Sequence, residues 1–242
     1  MTLSFLGSPD PARGAGYADP PKRKGFFTDT SICIGCKACE VACKEWNSVP
    51  EDGLSLSGMS YDNSVGLGAS TWRHVAFIEQ PVGPGERHSH REPGDAARPL
   101  PLDLGIPTTA LPGANADPED RTSFRWLMES DVCKHCTHAA CLDVCPTGAL
   151  FRTEFGTVVV QNDICNGCGY CVPACPYGVI ERRDGPAGDE AVGLAQKCTL
   201  CYDRLTEGME PACAKACPTQ SIQFGDLDEL RERAQVRVDA LV

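Results

Sequence analysis

The sequence contains 242 residues, of which 33 are acidic and 22 are basic, so its formal net charge at pH 7 is −11. This charge argues against nucleic-acid binding, which needs a basic face, and leaves protein partners open. The length allows one or two domains, and no segment approaches the roughly 20 apolar residues of a transmembrane helix. Because the chain has 24 glycines, 19 prolines and 7% aromatic residues, we expect a thin hydrophobic core.

Residues 1–25 are rich in Gly, Pro and Ala and predict an N-terminal arm that is either disordered or bound along a partner. The basic triplet at residues 22–24 is not followed by an apolar segment, so the sequence predicts no signal peptide. We interpret the triplet as a solvated surface feature.

The first of four similar cysteine runs follows this arm. All sixteen cysteines of the chain fall into the runs, four in each, and none is left over. The runs are Cys33, Cys36, Cys39 and Cys43; Cys133, Cys136, Cys141 and Cys145; Cys165, Cys168, Cys171 and Cys175; and Cys198, Cys201, Cys213 and Cys217. A proline follows the last cysteine of every run but the first, and similar tails lie at 146–150, 176–180 and 218–222. The chain therefore contains an internal repeat, and the repeated residues are the chemically active cysteines.

A long excursion separates the first run from the second. Residues 72–78 and 124–128 are strand candidates on either side of it. The excursion itself, residues 81–118, has eight prolines and five glycines and shows no helical or strand period. We interpret it as an irregular surface loop. A loop of this length is uncommon in a compact domain unless it is functional or disordered, and packing onto a partner is the function we favour.

The third run has the spacing of a bacterial ferredoxin. Three of its cysteines stand two residues apart, the fourth comes three residues later, and Pro176 follows directly. Gly167 and Gly169 allow the backbone between the thiols to curl tightly, because glycine tolerates positive φ. Three thiolates can then wrap one cluster, while the fourth binds the other cluster of a pair. A run of this kind therefore implies a partner run.

The second and third runs predict one complete two-cluster unit over residues 133–180. Residues 149–152 and 157–160, between the two runs, are predicted strands that turn through residues 154–156. The first and fourth runs then pair with each other across this unit and form a second, discontinuous module.

The sequence closes with a predicted amphipathic helix. Asp226 is the predicted N-cap, with Glu229 at the third position of a capping box. One face carries the apolar residues Leu227, Leu230, Ala234, Val238 and Leu241. This face packs either on the protein's own surface or on a partner. No clear C-cap precedes Val242, which leaves a longer native chain open.

Two other roles compete with iron–sulfur ligation for the cysteines. Structural zinc also uses cysteine pairs two residues apart, but zinc sites join two such pairs across a longer spacer. An even cysteine count also fits a disulfide framework, although thiols two residues apart make poor disulfide partners. The four compact quartets favour iron–sulfur clusters. Because metal binding of this kind is coupled to folding, we expect the apo chain to be poorly folded.

The predicted fold class is α+β, with two ferredoxin-like modules that each bind two 4Fe–4S clusters and with long irregular loops. The predicted domains are an N-terminal arm at 1–25; the first half of the discontinuous module at 26–130; the inserted two-cluster module at 131–182; the second half at 183–225; and the helix at 226–242.

With sixteen cysteines in this order, the chain resembles the four-cluster iron–sulfur subunits of molybdopterin oxidoreductases. The resemblance covers roughly residues 26–80 and 120–240. Within that group, the chain is most similar to the beta subunit of respiratory formate dehydrogenase. The segments that carry the similarity are CIGCKACEVACKEWN at 33–47, YDN at 61–63 and KCTLCYDRLTEGMEPACAKACPTQSIQFG at 197–225.

The resemblance implies four 4Fe–4S clusters and a set of ligands for each. The first cluster would be bound by Cys33, Cys36, Cys39 and Cys217; the second by Cys43, Cys198, Cys201 and Cys213; the third by Cys133, Cys136, Cys141 and Cys175; and the fourth by Cys145, Cys165, Cys168 and Cys171. Nitrate reductases have a tryptophan at one of these positions and a three-iron cluster. Cys168 stands there in this chain, so the resemblance implies that all four clusters are of the 4Fe–4S type.

The implied function is electron transfer without a catalytic site. A partner subunit with a molybdenum or tungsten pterin would oxidise formate, and this chain would relay the electrons through its four clusters to a downstream acceptor. The module of the first and fourth runs would face the catalytic subunit. The acceptor would be a membrane cytochrome, a quinone-reactive subunit or a soluble protein. The alternatives are the same relay in a dimethyl sulfoxide, polysulfide or thiosulfate reductase, and a stand-alone polyferredoxin carrier.

The resemblance also bears on location, because membrane-bound members carry a C-terminal transmembrane helix that this sequence does not show. We expect the protein to be cytoplasmic, or associated with the membrane through partners, with export alongside a signal-bearing partner left open.

Other polar residues near the cysteines have no obvious substrate chemistry. His135 and His138 lie inside the second run, whose cysteines already complete a cluster. We therefore interpret them as surface residues or as residues that surround the ligands, and not as ligands themselves. Four lysines flank cysteines: Lys37, Lys134, Lys197 and Lys215. These lysines either tune cluster potentials or are solvated, and the sequence leaves both interpretations open.

Overall fold

The computed structural model describes residues 10–52, 56, 58, 62, 64–81, 124–186 and 190–241. Within these ranges helices and strands are mixed along the chain, in agreement with the predicted α+β class. The helices are α1 (Pro11–Gly14), α2 (Ala38–Trp46), α3 (Ala140–Asp143), α4 (Cys171–Ala174), α5 (Tyr202–Thr206), α6 (Ala212–Lys215) and α7 (Leu227–Leu241). The strands are β1 (Lys24–Thr28), β2 (Arg73–Pro81), β3 (Phe124–Val132), β4 (Leu150–Arg152), β5 (Val158–Val160), β6 (Glu181–Arg182), β7 (Ala195–Gln196) and β8 (Ile222–Asp226).

The chain divides into two compact units. One unit comprises residues 1–77 and 128–242 and contains all sixteen cysteines. The other, residues 78–127, contains the distal ends of β2 and β3, and most of the predicted excursion at 81–118 lies outside the described residues. In the described part of the chain, no helix is both long enough and apolar enough to cross a membrane.

The described strands pair two by two. The sheets are β1 with β8, β2 with β3, β4 with β5, and β6 with β7. The predicted hairpin between the second and third runs is confirmed, with Leu150 opposite Val160 and Arg152 opposite Val158. Both strand candidates beside the excursion are also confirmed, since all of 72–78 except Trp72 lies in β2 and 124–128 lies in β3.

The pairing of β1 with β8 brings the two ends of the cysteine pattern together. β1 precedes the first run, β8 follows the fourth, and Phe26 lies opposite Phe224 in their antiparallel register. α2 of the first run also packs against α6 of the fourth. The module that the sequence splits into two halves is therefore closed by contacts between residues about 200 positions apart in the chain.

The hydrophobic core is built in large part from cysteines. One group of buried side chains includes Cys43, Cys133 and Cys198 around Trp72. A second includes Cys171 with Leu150 beneath the hairpin. The third group combines Cys39 and Cys213 with Val75 and Ile222. Because the thiols are core residues, whatever binds them also completes the packing.

Part of the N-terminal arm packs on the chain itself, so the alternative of a disordered segment is wrong for α1 and for Arg23, while binding along a partner stays a prediction. Asp10 caps α1 by accepting a hydrogen bond from the Ala12 amide at 3.0 Å. Pro11 and Ala12 are buried, and Pro11 lies against Gly156 at the turn of the β4–β5 hairpin. The physical reason is this apolar contact, which the Gly- and Pro-rich composition does not reveal.

The basic triplet at residues 22–24 is only partly a solvated feature. Lys22 is exposed, but the guanidinium of Arg23 donates to Thr137 Oγ1 at 2.6 Å and to the carbonyl of His135 at 3.0 Å. Arg23 therefore ties the arm to the second cysteine run.

The C-terminal helix α7 follows Asp226 as predicted, and only part of its apolar face is buried. Leu230 near its start is 2% exposed and lies over Gly225, whereas Val238 and Leu241 near its end are 52% and 57% exposed. The Asp226 carboxylate forms ion pairs with Lys24 and Lys22, and its hydrogen bond with Lys24 holds its pKa below the usual value.

Candidate functional site

A cavity in the ferredoxin-like part of the chain is walled by cysteines of two different runs. Cys133, Cys136 and Cys141 come from the second run, and Cys175 is the last cysteine of the third. This is the crossed grouping that the spacing of the third run predicts.

Two further cavities repeat the exchange between the first and fourth runs. One is lined by Cys43 together with Cys198, Cys201 and Cys213. The other is lined by Cys33, Cys36, Cys39 and Cys217. The last cysteine of each run thus stands with three cysteines of the other. These groupings are the ones that the family resemblance implies for the first and second clusters.

The remaining four cysteines are Cys145 of the second run and Cys165, Cys168 and Cys171 of the third. Burial raises the pKa of the Cys171 thiol to about 11, and among the nearby thiols Cys141, Cys165 and Cys168 add to this effect. Cys145 packs against the buried core group that contains Cys171, as do Cys141, Cys165 and Cys175. The placement of Cys145 with the third run therefore stays a prediction.

The same backbone turn recurs in all four runs. The residue directly before the second cysteine has positive φ in each: Gly35 (65°), His135 (43°), Gly167 (69°) and Leu200 (60°). A second repeat lies three residues after the last cysteine of the second, third and fourth runs, at Gly148 (70°), Gly178 (63°) and Gln220 (54°). The left-handed backbone conformation of this residue curls the chain between two thiols. Non-glycine residues such as Leu200 adopt it at a cost in strain.

The donor set fits a multi-iron cluster. All sixteen cysteines are free thiols, so the disulfide alternative is not realised. The three cysteine-walled cavities contain about 240, 290 and 310 Å³ of empty space, solvent at the mouth included. Four thiolates around such a space are the ligands of a 4Fe–4S cluster.

Burial makes the inner thiols reluctant to ionise on their own. It raises the pKa of Cys43 to about 12, with Cys213 and Cys201 contributing further. It likewise raises the pKa of Cys198 well above the ordinary thiol value. Metal ligands must be thiolates, so the metal has to displace these protons as it binds. Metal binding at these thiols is therefore coupled to the release of protons.

The four thiol sets are arranged in a row. Neighbouring sets sense each other electrostatically: after burial, Cys213 contributes to raising the pKa of Cys39, Cys133 to that of Cys198, and Cys141 to that of Cys171. These pairs link the first set to the second, the second to the third, and the third to the fourth. Cys36 in the first set and Cys168 in the fourth are exposed. The two ends of the row are thus the sets that open to the surface.

The structure separates the four lysines that flank cysteines. Lys197 is 2% exposed, and its ammonium group donates to the carbonyls of Val158 and Cys198. It lines the cavity of Cys133, Cys136, Cys141 and Cys175, which we call the third-cluster cavity. Lys37 is ion-paired with Asp62 at 2.9 Å, while Lys134 and Lys215 are exposed. Only Lys197 of the four is a buried charge beside a cavity.

Arg73 is a functional residue that the sequence did not single out. It begins β2 and is 1% exposed. Burial by itself would lower its pKa, but Cys213, Cys39 and other nearby cysteines outweigh this effect and raise the pKa. An arginine in a strand carries no sequence signal of such a position, since the thiols around it come from residues far away in the chain.

Of three further polar residues in or beside the cysteine runs, one contacts the sulfurs. The side-chain amide of Asn47, at the end of α2, lies 3.7 Å from the sulfur of Cys43 and 3.8 Å from that of Cys201. His135 accepts a hydrogen bond from the Val158 amide at Nδ1, so its proton is on Nε2, and it lines the third-cluster cavity. His138 is exposed, as its interpretation as a surface residue requires. Asn47 lies in the segment CKEWN, which is part of the family similarity, so the sequence pointed to this residue. The contact of its side chain with sulfur was not predicted.

Comparison with known proteins agrees with this geometry. Two family profiles, both described as a 4Fe-4S dicluster domain, match residues 32–149 and 124–227. The formate dehydrogenase iron–sulfur subunit of Haemophilus influenzae is 35% identical over 211 residues, which cover 87% of this chain and 54% of the relative. The nitrate-inducible formate dehydrogenase iron–sulfur subunit of Escherichia coli is 35% identical over 214 residues, 88% of this chain and 58% of the relative.

A sulfoxide-linked protein is similar as well. The B subunit of the anaerobic dimethyl sulfoxide reductase of Escherichia coli is 32% identical over 209 residues, which cover 86% of this chain and 76% of the relative. The chain spans a little over half the length of the formate dehydrogenase subunits that it matches.

Proposed function

The protein belongs to the 4Fe–4S dicluster iron–sulfur subunits, the family of the formate dehydrogenase iron–sulfur subunits and of the dimethyl sulfoxide reductase B subunit, and we propose that it connects a molybdopterin catalytic subunit to a downstream acceptor. It is an electron-transfer subunit, and its sixteen cysteines match four 4Fe–4S clusters. Substrate chemistry belongs to the partner.

The proposed ligands are the four thiol sets in the order of the row. They are Cys33, Cys36, Cys39 and Cys217; Cys43, Cys198, Cys201 and Cys213; Cys133, Cys136, Cys141 and Cys175; and Cys145, Cys165, Cys168 and Cys171. When bound there, each cluster supplies a one-electron carrier. The protein's own part is to hold the thiols around the cavities, to keep water from the inner ones, and to surround them with polar groups such as Lys197.

The observation that carries the proposal is the succession of the thiol sets, with the fully buried second set inside it and one exposed cysteine at either end. A succession of redox sites that reaches the surface twice suits transfer between two partners. It has no use in a protein that binds metal only for stability.

We further propose that the chain forms two ferredoxin-like modules with two clusters each. One is the inserted module at 131–182, and the other joins 26–130 to 183–225. The exchange of last cysteines within each pair of runs supports this division. The arm at 1–25 and the helix at 226–242 flank the second module.

Formate is the substrate that we assign to the catalytic partner. Support comes from the relatives named as formate dehydrogenase subunits and from the segments at 33–47 and 197–225. The acceptor is a membrane cytochrome, a quinone-reactive subunit or a soluble protein, and the location of the chain follows that of these partners. The second candidate is the same relay in a dimethyl sulfoxide reductase, which the match to the B subunit of such an enzyme favours.

Formate is expected to reduce the complex. After isolation with bound partners in the absence of oxygen, formate should bleach the visible absorbance and produce low-temperature EPR signals, because a pterin subunit can pass electrons to the thiol-bound clusters. The isolated chain should show neither change with formate, although dithionite should reduce it. Clusters that ignore formate but exchange electrons with a sulfoxide couple would reassign the substrate to the second candidate and leave the relay intact.

Metal analysis of the same anaerobic preparation is expected to find about four irons and four acid-labile sulfides for each quartet of thiols. The expectation follows from four thiols around each of the cavities. Little zinc should be present, and a parallel aerobic sample serves to recognise losses by oxidation. A preparation dominated by zinc would contradict both the cluster assignment and the electron-transfer function.

A further inference from the structure

Arg73 lies between two thiol sets and is held there by fixed contacts. One of its terminal nitrogens, Nη1, donates to Ser130 Oγ at 2.8 Å. The guanidinium also stacks on the ring of Phe26, with its carbon 4.6 Å from the ring centroid. With 1% exposure, the side chain has no route to solvent. The position of this positive charge is therefore set by the fold.

Two hydrogen-bonding nitrogens of this buried guanidinium have no acceptor among the residues that the structure describes. They are Nε and Nη2, both inaccessible to solvent. An unpaired donor on a buried charge is costly, so natural folds provide it with an acceptor. Arg73 lines the cavity of Cys43, Cys198, Cys201 and Cys213. A group bound in that cavity can supply the acceptors that the two donors lack.

Ser130 extends the contact to the neighbouring thiol set. Its hydroxyl accepts from Arg73, which leaves its own proton free for the sulfur of Cys39 at 3.4 Å. Ser130 and Cys39 both line the cavity of Cys33, Cys36, Cys39 and Cys217. A short chain of hydrogen bonds therefore joins Arg73 to the first thiol set, while the guanidinium itself lines the second.

In the described part of the chain, no carboxylate balances the charge of Arg73. Among the residues that the structure describes, none forms an ion pair with its guanidinium, although ion pairs are frequent elsewhere in the protein. A buried charge without a counter-ion is strongly unfavourable. The negative charge that compensates Arg73 must therefore come from the thiolates and from what they bind.

We propose that Arg73 is a positioning residue for electron transfer, a fixed positive charge shared by the first two cluster sites that raises the reduction potentials of both. The proposal rests on the ligand sets proposed above. Reduction adds one negative charge to a site, and a nearby cation in a medium of low dielectric constant stabilises the reduced state. Hydrogen bonds to the sulfurs act in the same direction. Two clusters of the four should therefore depend on this one side chain.

An EPR-monitored redox titration of the intact complex tests the inference. Chemical mediators set the potential, so the result does not depend on the substrate of the partner, and iron analysis of the wild type checks the ligand sets separately. For Arg73→Gln we expect two of the four potentials to fall. At the wild-type midpoint potentials, the ratio of reduced to oxidised cluster should drop about tenfold, which is 59 mV for a one-electron couple.

Two variants separate the charge from the shape of the side chain. Arg73→Lys keeps the charge and should retain most of both potentials. Arg183→Gln removes another buried guanidinium, whose Nη2 binds the carbonyl of Ala69 and which lines none of the three cysteine-walled cavities. It should leave all four potentials unchanged. The inference is overturned if Arg73→Gln retains its iron with unchanged potentials, or if either comparison variant shows the same loss.

If Arg73→Gln fails to retain iron, Ser130→Ala decides. This substitution removes the hydroxyl that positions Nη1 and donates to Cys39, but it leaves every cysteine in place. We expect the potential of one cluster to fall, with its reduced-to-oxidised ratio lowered about threefold at the wild-type midpoint. Four unchanged potentials in this variant would mean that Arg73 is only a structural cation.

Discussion

Replacing Cys175 by alanine is expected to remove the cluster at Cys133, Cys136 and Cys141 and to spare the one beside its own neighbours in the third run. The reason is the cavity that Cys175 shares with those three cysteines. Losing one of four thiolates leaves an iron without its protein ligand. We expect iron and sulfide to fall by about one cluster per chain.

Cys145→Ala is the matched control, since it removes the last cysteine of the second run. It should damage the cluster beside Cys165, Cys168 and Cys171 instead. EPR spectra of the two variants in the intact complex should lack different signals, and cluster density in their structures should be missing at different sites. If each variant loses the cluster of its own run, the exchange of ligands that we propose is incorrect.

Among the glycines near the cysteines, Gly167 is the one whose replacement by alanine is expected to have the largest effect. Gly167 has a φ of 69°, and a Cβ there would stand 2.6 Å from the carbonyl oxygen of Gly193. Backbone atoms cannot rotate away as a side chain can, so the loop between Cys165 and Cys168 must shift. A ligand loop that moves cannot keep its thiols around one cluster. We expect loss of the fourth cluster during expression and a destabilisation of about 4 kcal/mol, the range of severe single substitutions.

Gly148→Ala separates backbone strain from collision. Gly148 has a φ of 70°, like Gly167, but an added Cβ would have no neighbour within 4 Å. The variant should therefore bear only the strain of the left-handed conformation, roughly 1–2 kcal/mol. Iron content after purification and the temperature at which the visible absorbance is lost measure both effects. Equal losses in the two variants would show that strain alone, and not the contact with Gly193, controls the loop.

Much of the site could be predicted because its chemistry is local. The spacing of the third run is short, so three of its thiols can converge on one centre only through a tight curl, and Gly167 supplies that curl. The hairpin of β4 and β5 was predictable for the same reason, since its partners are neighbours in the chain. The sequence was less informative about the turns themselves, because His135 and Leu200 adopt a positive φ that their residue types do not announce.

The N-terminal arm and the C-terminal helix show where composition and pattern misled. The Gly- and Pro-rich arm suggested disorder, yet Pro11 packs on the hairpin turn. The apolar stripe of α7 is correct as a pattern, but of its residues only Leu230 is buried, and the later turns meet the rest of the described chain through the ion pair of Arg237 with Asp29. A periodic pattern predicts that a face is apolar. How far along the helix a surface exists to cover that face depends on other segments.

The sequence by itself determined the number of cysteine quartets, the exchange expected between the second and third runs and the chemistry that four thiols support. Only the tertiary structure decided which charges stand beside them. Lys197 is buried while Lys134 and Lys215 are exposed, although all three flank cysteines in the same way. Arg73 comes to lie between the first two thiol sets through strands that are far apart in sequence. The physical reason is that ligand spacing acts over a few covalent bonds, whereas burial and electrostatic interactions depend on distances in space that the whole fold sets.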